Sequence, residues 1–98
     1  MTDERILTWR HWRACDEDAA DAIAAVEQAD PALRAPLKRA AIAALDKTAH
    51  AFVAWERARL DDTDDEASTE DMQHGNRVFW TAQFARLALL GALEMKGA

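Results

Sequence analysis

Only two stretches of this 98-residue sequence are built to interrupt a helix: "ADPALRAP" at residues 29–36 and "DDTDDEASTED" at residues 61–71. That constrains the fold more than any other feature. Glycine and proline number three and two, tyrosine is absent and β-branched residues are scattered, so strands and frequent turns lack the residues they need. Alanine, the strongest helix former, fills much of the apolar half of the chain. The expectation is an all-α protein, a single domain over residues 1–98, folded as a three-helix up-down-up bundle. Its helices should span about 3–29, 36–60 and 69–96.

Each segment carries the expected periodicity. In the first, Trp9, Trp12, Cys15, Ala19, Ile23 and Val26 recur at three- and four-residue steps and form one stripe. "CDEDAAD" in its middle offers Asp16 as a second N-cap, so a kink is expected near residue 16. In the second, Leu37, Ala41, Leu45, Thr48, Phe52 and Trp55 form the stripe, widened by Ile42, Ala49 and Val53. Asp30 before Pro31 reads as an N-cap with proline at the first helical position, and a short helical turn fits residues 31–35. Pro36 would disrupt a helix already under way, which places the main helix start at Ala35 or Pro36. Ser68 and Asp71 resemble a capping box for the third helix. Gly75-Asn76 is unfavourable inside a helix, so the regular part should begin at Asn76.

The third helix is the unusual one. From Val78 to Met95 it reads "VFWTAQFARLALLGALEM", in which Gln83, Arg86 and Glu94 fall on one narrow strip and nearly everything else is apolar. A bundle helix buries a face of about 100° or somewhat more. This one offers about three-quarters of its circumference. Either it is the central helix, covered on both sides, or it presents an apolar face to another chain, most simply a second copy in a homodimer. Trp80, Phe84, Leu87 and Leu90 are the candidate contact residues. As a membrane span the run is at the short limit, and Gln83 and Arg86 would lie near mid-bilayer.

Charge narrows the function classes. The net charge is −6, which disfavours direct binding to nucleic acid or to an anionic membrane. The acids are concentrated: residues 1–30 carry net −5, residues 61–77 net −6, while residues 31–60 carry net +4. Complementarity between neighbouring helices accounts for much of this asymmetry. The acids left over form a candidate partner-binding face comprising Asp61, Asp62, Asp64, Asp65 and Glu66, with Asp16, Glu17 and Asp18. A single cysteine, Cys15, and the charged start "MTDERILTWRHW" fit a reducing, cytoplasmic setting.

No catalytic or cofactor motif emerges, and no metal site is expected. His11 and Cys15 have metal-ligand spacing but lack two further ligands. The acidic loop is not a calcium loop: counting from Asp62, Ala67 stands where glycine is required and Gln73 where glutamate is. Asp46 and His50 are half of a general-base pair without a nucleophile. What remains is function by protein contact. The first expectation is a small acidic, non-enzymatic inhibitor of the antitoxin, immunity-protein or phage anti-defence type, covering a basic, nucleic-acid-binding surface of a partner protein. The alternative is a structural or accessory subunit, an obligate homodimer or part of a larger assembly, held by the apolar third helix.

Overall fold

The computed structural model describes residues 2–61 and 68–96, with side chains described over 4–58 and 73–92. Every element among the described residues is helical: α1 spans Thr2–Gln28, a 3-10 turn spans Pro31–Leu33, α2 spans Arg34–Asp61 and α3 spans Ser68–Lys96. Three helices are therefore present where three were expected.

The connection between α1 and α2 follows from its two prolines. Asp30 has extended backbone and stands at the N-cap of the 3-10 turn, with Pro31 as the first residue of the turn, though the aspartate side chain makes no capping bond. Instead the Leu33 amide donates to the Asp30 carbonyl at 2.8 Å. α2 starts at Arg34, earlier than Pro36 was expected to allow. The reason is that Pro36 falls in the first turn, where backbone amides have no intrahelical acceptor and the missing N–H costs nothing. α1 is unbroken through Asp16.

The α1 and α2 stripes supply the core. Ala19, Ile23 and Val26 from α1 meet Ala41 and Leu45 from α2, and Leu90 of α3 closes the cluster. Alanine at Ala19 and Ala41, both fully buried, leaves no side chain to hold the helices apart. Thr48 is fully buried in the α2 stripe and satisfies its hydroxyl by donating to the Ala44 carbonyl at 3.0 Å. A second, aromatic layer lies beside it. The Phe52 ring stacks on Phe79 with centroids 4.0 Å apart, and Trp12 packs edge-on to both while stacking on Trp55 at 5.2 Å. Trp12, Phe52 and Phe79 come from three different helices, so this cluster ties α3 to the other two. Trp9 does not join it: the residue is nearly half exposed, one turn beyond the cluster.

α3 starts at Ser68, close to the expected 69, and runs as regular helix through Gly75, where the regular part was expected to begin only at Asn76. The glycine is tolerated inside the helix rather than breaking it. Added Cβ atoms at Gly75 and Gly91 would each meet nothing within 4 Å. Gly75→Ala and Gly91→Ala are each expected to stabilise the fold by about 0.5–1 kcal/mol, through helix propensity and a less flexible unfolded chain. Urea denaturation measures this directly; a loss of stability at either site would mean that the glycine has a packing role.

Candidate protein-interaction surface

α3 is arranged inside out relative to the usual amphipathic helix. Gln83 and Arg86 point inward, whereas Thr81 is exposed. Gln83 is only 5% exposed, and its Nε2 donates to the Leu45 carbonyl of α2 at 2.7 Å. Arg86 is partly buried, and its Nη1 donates to the Asp16 Oδ1 of α1 at 2.7 Å. These two side chains therefore face α2 and α1, respectively. The polar side chains that would ordinarily face water, Gln83 and Arg86, are the ones that hold the helix down.

The consequence appears on the opposite side. Between residues 82 and 92, all the exposed side chains are apolar: Ala82, Phe84, Ala85, Leu87, Ala88, Leu89 and Ala92. Phe84 is 65% exposed, Leu89 40% and Leu87 38%, and Val78 one turn earlier is 55% exposed. Scattered exposed apolar residues are ordinary on a monomer, but a contiguous patch marks a contact surface. Towards α2 the patch continues into an open groove of about 380 Å³, lined by Ile42, Leu45, Ala49, Val53, Trp80, Gln83, Phe84 and Leu87. Asp46 and His50 stand at its rim, 4.0 Å apart and both well exposed.

The expected contact residues divide accordingly. Phe84 and Leu87 lie on the exposed patch, and Trp80 is half-buried in the groove wall, 6.4 Å from the Phe84 ring. Leu90 is 1% exposed and belongs to the core, so it is not available to a partner. Ile42, Val78 and Leu89 complete the patch without having been among the expected set. Their signal was present in the helical spacing, but spacing alone does not say which face is outward. On the acidic side, Asp16 is committed to Arg86, whereas Glu17 and Asp18 are exposed on α1. Asp61 is the last residue of α2, with its side chain outside the described set; Asp62, Asp64, Asp65 and Glu66 lie outside the described residues, as do the side chains of Ser68 and Asp71.

Gln83 Oε1 is buried and accepts no hydrogen bond. The amide orientation is fixed by chemistry, since the Leu45 carbonyl accepts only from the amide nitrogen. Gln83→Met keeps the length of the side chain. It loses one hydrogen bond, about 1 kcal/mol, and removes an unpaired acceptor costing about 1–3 kcal/mol. Stability is therefore expected to stay within about 1 kcal/mol of the parent or to rise. A loss of more than about 2 kcal/mol in urea denaturation would show that the bond to Leu45 contributes more to anchoring α3 than a typical neutral hydrogen bond.

Other clusters have little chemistry to offer. His11 Nε2 and Cys15 Sγ are 3.7 Å apart on an exposed turn of α1. Among the described residues, no group of three or more His, Cys, Asp or Glu side chains is placed to hold a metal ion, and no helix is long and apolar enough to cross a membrane. Comparison with protein families, curated proteins and solved structures finds no match for this chain.

Proposed function

We propose that this chain is a non-enzymatic protein-interaction module whose contact surface is the outer face of α3 with the adjoining α2 groove. The observation that supports it is the inversion of α3: Gln83 and Arg86 are spent on internal contacts, and the outward side chains from 82 to 92 are all apolar. Leaving such a face in water forgoes the stabilisation of burying it, about 1.5–3 kcal/mol for each large side chain. This supports the accessory or assembly-subunit reading over the acidic inhibitor. The inhibitor reading retains the exposed acids Glu17 and Asp18, but Asp16 is engaged within the chain. A cytoplasmic setting is part of the same proposal.

The helices are taken to run up-down-up. Support comes from the contacts that bridge them: Asn76 with Glu56, Phe79 with Phe52 and Gln83 with Leu45 pair rising numbers in α3 with falling numbers in α2. Trp12 with Phe79 and Asp16 with Arg86 pair rising numbers in both α1 and α3.

The test is photo-cross-linking in the native host, with benzoyl-phenylalanine in place of Phe84 and, as control, of the exposed Ala25 on α1. A covalent protein adduct from position 84 and none from position 25 is expected. Absence of any adduct at position 84 would overturn the reading, and the mass of the adduct identifies what lies on the face.

A further inference from the structure

We propose that the occupant of the α3 outer face is a second copy of this chain, the two α3 helices packing antiparallel about a two-fold axis between Ala85 and Ala88. The inference rests on reading that face as the contact surface, and names its partner.

The sequence of exposed positions carries it. His74, Val78, Thr81, Ala85, Ala88 and Ala92 are all exposed and follow steps of four, three, four, three and four. That is the heptad seam of two helices that pack along their length, here on the solvent side of the fold. Its central and C-terminal positions are small, so two backbones can approach closely. The part of the seam from Thr81 to Ala92 also maps onto itself under a two-fold axis. Turned end for end, Ala85 meets Ala88 of the second copy and Thr81 meets Ala92, so small residues oppose small ones over these four positions. Phe84 flanks the seam on one side and Leu89 on the other. In the antiparallel pair each lies beside its own symmetry mate, about 7–8 Å away along the axis.

Electrostatics and area agree with this occupant. The chain carries net −6, yet among the exposed residues from 74 to 92 there is no carboxylate and Arg77 is the one formal charge, so two such faces meet without opposing carboxylates. The exposed fractions of the patch correspond to about 500 Å² per copy, or roughly 1,000 Å² at most for the pair, which is the range of weak, reversible contacts below the roughly 1,200–2,000 Å² of stable ones. A reversible dimer follows.

The test uses the full chain with Cys15→Ala, and Thr81→Cys and Ala92→Cys introduced separately. In the proposed pair each cysteine lies about 16 Å along the axis from its own mate, beyond disulfide reach. Under mild oxidation each variant alone is therefore expected to stay unbridged, while an equal mixture forms the mixed disulfide. Self-bridging of each variant would mean parallel pairing and would overturn the proposal. No bridge in the mixture, with position 84 still cross-linking to a different protein, would overturn the second copy and leave the contact surface standing. No bridge and no adduct would remove both.

Discussion

Phe52→Ala is expected to cost about 3–5 kcal/mol, a large part of the roughly 5–15 kcal/mol that holds a domain of this size folded. Phe52 is 2% exposed and touches aromatic rings from all three helices: Trp12 of α1, Trp55 of its own helix and Phe79 of α3. Alanine there leaves a cavity that helices on three sides must collapse to fill. It also takes away the stacked partner of Phe79, a link between α3 and the α1–α2 pair. The urea midpoint should fall steeply, and the Trp12–Trp55 stack should loosen in near-ultraviolet circular dichroism. Phe84→Ala provides the contrast. It removes the same side chain from an exposed site and should change the stability of the monomer by less than about 0.5 kcal/mol. Comparable losses from the two substitutions would mean that the division into inner and outer aromatics is wrong.

Ala85→Glu should have the largest effect on association. The position is exposed on α3 and glutamate is a good helix former, so the helix itself loses only a few tenths of a kcal/mol. At the proposed two-fold seam, however, the substitution brings two carboxylates together in a desolvated contact, where like charges cost several kcal/mol. The dimer constant measured by sedimentation equilibrium should weaken by at least about 100-fold, with the helical circular dichroism unchanged. An unchanged constant would place the contact elsewhere on the molecule.

Much of this fold was legible in the sequence because α1 and α2 are ordinary amphipathic helices. Ala19, Ile23, Val26, Ala41, Leu45, Thr48 and Phe52 all sit in their predicted stripes and are all buried. The break between α1 and α2 was legible because proline has local effects that do not wait for tertiary structure. Ile42 marks where the pattern loses resolution: it lies at the edge of the α2 stripe, and its 42% exposure depends on how closely α3 approaches. α3 itself was misleading for a physical reason. Periodicity separates two faces of a helix but does not orient them, and on a helix so largely apolar the polar strip is naturally assigned to water. What decides the matter is the Leu45 carbonyl and the Asp16 carboxylate, acceptors 38 and 70 residues away in the chain. Buried polar side chains are retained when such partners exist, and no local pattern reveals them. The sequence left open which of Trp80, Phe84, Leu87 and Leu90 face the core, and Leu90 does so because it shares its face with Gln83 rather than with Leu89.

The measurement closest to the central claim is molar mass in solution by light scattering, across protein concentration and at low and high salt. If the outer face of α3 receives a second copy, the mass should rise from 10.9 kDa towards twice that value with concentration. The rise should come earlier at high salt, because screening reduces the repulsion between two chains of net −6 while leaving an apolar seam intact. A mass of 10.9 kDa at every concentration and both salts would contradict the account.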